Sequence, residues 1–81
     1  MEPMNPIMPK SIKDIPGLID WLAKTYHNGS VSAMSKPLGV SVATPNFWRR
    51  GVVTPNLPNL LKICEVYRLN FDEVRKLLPK H

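Results

Sequence analysis

The side chains able to do chemistry are few and scattered. Ser, His, Asp and Cys never fall in a spacing that builds a nucleophile with its base, no two carboxylates sit as an acid–base pair, and no glycine-rich loop cradles a phosphate. His27 and His81 stand alone, and Cys64 has no second cysteine for a disulfide or a zinc pair. The expectation is a non-enzyme with no metal and no cofactor. What remains is charge. Lys plus Arg number 11 against 6 Asp plus Glu, a net charge of +5, and no acid occurs between Asp20 and Glu65, where Lys24, Lys36, Arg49, Arg50 and Lys62 all lie. A segment of one sign suits a polyanion. Mildly basic soluble proteins are common too, so charge alone leaves both a nucleic-acid partner and a merely solvated face open.

The elements that position these residues follow from length and periodicity. Eighty-one residues allow one domain with a modest core, and 43% hydrophobic with 21% charged residues is an ordinary globular composition. Residues 1–14 read as an extended N-terminal arm: Pro3, Pro6 and Pro9 oppose a helix, and Met1, Met4, Ile7 and Met8 offer apolar contacts to the domain or to a protein partner, unless the segment is a frayed tail. Residues 15–81 read as the folded domain. Asp14 and Pro16 start a first helix whose inward residues are Leu18, Trp21, Leu22 and Thr25 or Tyr26, and Asn28-Gly29 ends it. A second helix, capped by Ser30 or Ser32, closes at Gly39, and a third ends at Gly51. The fourth runs from Leu57 or Pro58 to Arg68 with Leu57, Leu60, Leu61, Cys64 and Tyr67 on one face. Asn70 and Glu73 have the spacing of a capping box for a last helix, with Phe71, Val74 and Leu78 inward and Pro79 as its stop. No stretch alternates long enough for a sheet, so the fold class is all-α, a compact five-helix bundle.

Within it, the stretch VSAMSKPLGVSVATPNFWRRGVVTP, Val31 to Pro55, meets the needs of two helices joined by a tight turn. Ser35 is small enough for the helix–helix contact, Gly39 turns the chain, Leu38 and Val40 plug the core, Trp48 anchors the second helix and Gly51 ends it. With LGVS at Leu38–Ser41, FWRRG at Phe47–Gly51, the trailing Thr54-Pro55 and the following LLKICEVYRLNFDEV, the chain resembles the λ-repressor/Cro-like (XRE) family of helix-turn-helix proteins over roughly Leu18 to Leu78. The resemblance implies a sequence-specific DNA-binding transcriptional regulator, a repressor of phage or mobile-element type, binding double-stranded DNA at a pseudo-palindromic operator as a homodimer. Carried over by position, it places Ser41, Val42, Ala43, Asn46, Phe47 and Arg50 at the DNA, with Thr44 beside them. Val42 and Ala43 would meet thymine methyls, Asn46 an adenine edge or a phosphate, and Arg50 a guanine or a phosphate. Ser30 and Ser32, with free amides at the start of the preceding helix, would clamp phosphate, and Arg49 would touch phosphate or lie on the helix flank. The dimer contact would come from the last helix, Phe71 to Leu78, from the arm, or from both.

Two prolines modify this expectation. Pro37 lies within the helix before the turn, and Pro45 stands at an inward position on the reading helix where the family usually has Val or Ile. Thr44-Pro45 reads as an N-cap and first helical residue, so the reading helix starts late, Val40 to Ala43 form an extended turn, and base contact moves toward Asn46, Phe47 and Arg50. The same prolines, with apolar Val42 and Ala43, define the other reading: a protein-interaction adaptor on this scaffold that no longer reads DNA. Trp48, Trp21 and Tyr26 are expected in the core, Cys64 as an inert buried thiol, and Lys76 and Lys80 on a solvated face. The lone cysteine fits a reducing, cytoplasmic and nucleoid-associated setting. No apolar run approaches the roughly 20 residues that span a bilayer, and the N-terminal prolines do not fit a signal peptide.

Overall fold

Ile15, Leu18, Ile19, Leu22 and Ala23 recur at the spacing of one helix face, and all five are buried along α1 (Ile15–Tyr26). The structure, a computed structural model, describes residues 8–79. After α1 come a 3₁₀ turn (Ser32–Met34), α2 (Ser35–Leu38), α3 (Thr44–Arg50), α4 (Leu57–Tyr67) and α5 (Phe71–Arg75), with no strand among the described residues. The protein is all-α. Its core joins the α1 face to Met34, Leu38 and Trp48, to Leu60, Ile63, Cys64 and Tyr67 of α4, and to Val74 and Leu77 at the C-terminal end.

Two helix faces differ from the sequence expectation. On α1 the stripe is rotated: Trp21 is half-buried and Tyr26 and Thr25 are exposed, because Ile15 and Ile19 fill the inward positions. On α4 the core takes Leu60, Ile63, Cys64 and Tyr67, and leaves Leu57 58% and Leu61 48% exposed. Both α4 stripes have helical spacing, and contact with α2 and α5 selects between them. The arm is also corrected where it is described. The Ile12 amide donates to the Pro9 carbonyl at 3.2 Å, and Met8 and Ile12 pack on the core, so residues 8–14 form an anchored turn, not an extended arm. Met1, Met4 and Ile7, like Lys80 and His81, lie outside the described residues.

Side-chain caps start three helices where the sequence places them. Asp14 accepts from the Gly17 amide at 2.9 Å, Asn56 from Asn59 at 3.0 Å and Asn70 from Glu73 at 3.1 Å. The last helix is shorter than expected. It ends at Arg75, ahead of Pro79, with Val74 and Leu77 buried and Phe71 and Leu78 half-buried. At the other ends, α2, α3 and α4 close alike, each with a left-handed residue followed by an amide reaching back five positions: Val40 to Ser35, Val52 to Phe47, and Leu69 to Cys64. Gly39 (φ 67°) and Gly51 (φ 75°) adopt this conformation without a Cβ penalty, whereas at α4 the residue is Arg68 (φ 55°). Arg68→Gly is therefore expected to stabilise the domain by about 0.5–1 kcal/mol, read as a higher midpoint in urea unfolding.

A polar link ties the end of α1 to α4. The His27 Nε2 and Tyr67 hydroxyl lie 2.8 Å apart, and the Tyr26 and Tyr67 rings are tilted together at 5.1 Å. Burial, and secondarily the neighbouring Tyr26 phenol, push the Tyr67 hydroxyl up to about 12. A phenol in the unfolded chain titrates near 10, so the folded state holds this proton more tightly. The resulting contribution to stability is complete below pH of about 10 and is lost as pH rises through about 12. Urea midpoints measured from pH 9 to pH 12 should fall over that window, and Tyr67→Phe should flatten the fall while lowering stability at neutral pH.

Candidate nucleic-acid interface

Pro37 cannot donate the backbone bond that a regular helix would direct at Ala33, and the chain accommodates this locally. The segment before it is tightened to a 3₁₀ turn, and α2 is reduced to a single turn. Ser35 stays buried, with its hydroxyl donating to the Ser32 carbonyl at 2.8 Å. Gly39 then reverses the chain. The continuous second helix expected from the sequence is thus a 3₁₀ turn followed by a short α-helix.

The reading helix does start late, with one correction at its cap. Thr44 is the first helical residue and Pro45 the second; the cap position is Ala43, which has helical dihedrals and makes no side-chain cap bond. The chain before it is a turn closed by the Thr44 amide on the Ser41 carbonyl at 3.0 Å, so Ala43 is not extended. Pro45 and Trp48 point into the core. This fixes the rotation of α3, leaving Phe47 40% exposed and Arg50 exposed.

Of the residues singled out in the sequence, Ser41, Val42, Ala43, Phe47 and Arg50 are exposed on and before α3, and Val42 is 63% accessible. Thr44 and Asn46 are half-buried. Asn46 Nδ2 donates to the Ser32 hydroxyl at 3.0 Å, so two candidate contact residues bind each other and lock α3 to the turn before α2. Arg49 lies on the flank toward α1, 3.9 Å from Asp20, which also holds Lys24 at 2.9 Å. These exposed pairs are worth at most about 1 kcal/mol. They nonetheless place an acid beside one of the two arginines of α3. Sequence reasoning missed Asp20 because the pairing spans two helices and has no local signal.

The free amides expected at Ser30 and Ser32 are mostly engaged. Ser30 donates to the His27 carbonyl, Ala33 to Ser30, and Met34 to the Val31 carbonyl. Ser30 is the cap, its hydroxyl accepting from Ala33 at 3.3 Å, while Ser32 is committed to Asn46. A ready-made phosphate cradle of backbone amides is therefore not present at this turn. No group of three His, Cys, Asp or Glu able to hold a metal occurs among the described residues. Cys64 is buried, and desolvation pushes its thiol up, away from the reactive thiolate. No described helix is long and apolar enough to cross a membrane.

Comparison of the chain with protein-family models, curated proteins and solved structures finds no match. The Ser32–Asn46 bond gives a direct test of this geometry. Ser32→Ala and Asn46→Ala should each destabilise the domain by about 0.5–1.5 kcal/mol, and the double variant should cost clearly less than their sum in a double-mutant cycle read by urea unfolding.

Proposed function

We propose that the protein is a sequence-specific DNA-binding regulator, a repressor of the λ-repressor/Cro-like kind, with α3 as the helix that enters the major groove. The observation that carries this reading is the division of α3 and its turn into two faces. Pro45 and Trp48 are buried, the chain reverses at left-handed Gly39 against buried Met34, Ser35 and Leu38, and the opposite side presents Ser41, Val42, Ala43, Phe47 and Arg50 to solvent. Two short helices held this way, the second anchored by one face, are what groove insertion requires. The absence of any acid between Asp20 and Glu65 keeps that surface attractive to phosphate.

Each side chain then has a physical role. Arg50 is the one exposed, forked donor at the end of α3 and reaches guanine O6 and N7 or a phosphate. Val42 and Ala43 present methyl groups to thymine. Asn46, held by Ser32, acts through its remaining amide oxygen and by fixing the helix. Phe47 supplies an apolar contact beside the bases. Arg49, partly neutralised by Asp20, contacts the backbone. A single head this small makes few base contacts, so a dimer on a pseudo-palindromic operator is the working form.

The test is an anisotropy titration on the DNA upstream of the protein's own gene, at two salt concentrations and with competitor DNA. Specific binding should survive competitor and fall steeply with salt. Arg50→Ala should cost about 1–3 kcal/mol and relax preference at one base position. Arg49→Ala should weaken all sequences alike. A larger sequence-selective loss from Arg49→Ala overturns the assigned helix phase, and no binding even at low salt favours the adaptor reading over the regulator.

A further inference from the structure

The dimer expected of such a regulator needs a face, and α5 does not offer one. Val74 and Leu77 are buried, and Phe71 and Leu78 pack on the core, so the apolar side chains of the C-terminal segment are already used within the chain. The unused apolar surface lies elsewhere. Leu57 and Leu61 sit one turn apart on the outer face of α4, 58% and 48% exposed, preceded by Val52 and Val53 at 62% and 48%. Isolated exposed leucines are ordinary, but an i, i+4 pair on a helix defines a stripe that one partner helix can cover.

We infer that this face of α4 is the contact for a second copy of the chain, packed antiparallel across a two-fold axis near Asn59. The inference rests on the regulator reading for its motive but on α4 for its content. In that arrangement Leu57 of one copy meets Leu61 of the other, twice, as a self-complementary two-fold contact requires. Charge selects the occupant. From Gly51 to Leu61 there is no charged residue, so neither an acidic nor a basic partner finds anything to pair with. Two copies carrying +5 each can approach there without placing like charges in contact. The charges of α4 (Lys62, Glu65 and the capping Arg68) all lie toward its C-terminal end. A parallel pairing sets each against its own copy; the antiparallel one sets them against the uncharged start of the partner's helix. A stripe of two leucines per copy is small against the roughly 800 Å² per partner of a standard interface, so the dimer is a reversible one, completed on DNA.

The experiment measures self-association without DNA, by sedimentation equilibrium up to millimolar protein. It uses the full chain and two variants, Leu57→Glu/Leu61→Glu and Leu57→Lys/Leu61→Lys. Both sites are exposed, and unchanged circular dichroism and melting show that the fold is kept. The unaltered chain should dimerise reversibly. Each variant alone should associate at least tenfold more weakly, and an equimolar mixture of the two should recover association as a heterodimer, because opposite charges then face one another. A chain that stays monomeric throughout, variants that associate as tightly as the parent, or a mixture that does not recover would each overturn the assignment. Because no DNA is present, failure here leaves the DNA-reading proposal standing, and failure to bind DNA leaves the α4 interface standing.

Discussion

The fit of α3 against α1 is the constraint on which the rest of the structure depends. These two elements share the most extensive contact in the fold, and Trp48 is its largest fully buried side chain. α3 has only seven residues, too few to hold a helix in water on its own. Its persistence comes from burying Pro45 and Trp48, and that burial also settles which way the remaining side chains face. Gly51 lies against Pro16 so closely that an added Cβ would stand 3.7 Å from the proline ring, and its left-handed conformation releases the chain immediately after the anchor. Loosening this contact would release α3 from the start of α1 and from the turn that follows it.

Proline shapes the same region from the inside. An interior helix proline costs about 3 kcal/mol, a large share of a small domain's stability. The chain avoids most of that cost by placement. Pro16, Pro45 and Pro58 fall in the first turns of their helices, where the missing amide has no intrahelical partner anyway. Pro37 is the exception, and the fold answers it by shortening α2 to one turn behind a 3₁₀ segment. The Ser32–Asn46 bond then restores, through side chains, a connection between the two halves of the motif that a longer α2 would otherwise supply by packing.

Electrostatics refine the outer face without defining it. The basic middle of the sequence reads as uniform in one dimension, yet folding brings Asp20 beside Arg49 and leaves Arg50 clear of it. Two adjacent arginines of the same helix therefore stand in different fields, one suited to a general backbone contact and the other to a directional one. On α4, folding acts in the opposite sense, gathering an uncharged apolar stripe on a chain that is otherwise basic.

The sequence by itself determined the helical class, the caps at Asp14, Asn56 and Asn70, the turns at Gly39 and Gly51, the inward Trp48 and the late start of α3, because each rests on backbone chemistry or on spacing within a few residues. Tertiary structure alone decided which of two equally periodic stripes on α1 and α4 is buried, since Leu57 and Leu61 are spaced as regularly as Leu60 and Cys64 and only the neighbouring helices tell them apart. It also decided the pairing of Ser32 with Asn46, Asp20 with Arg49 and His27 with Tyr67, each made between elements brought together by the core. The left-handed close of α4 at Arg68 belongs there too: no glycine marks it, and the conformation is imposed by the need to turn the chain toward α5.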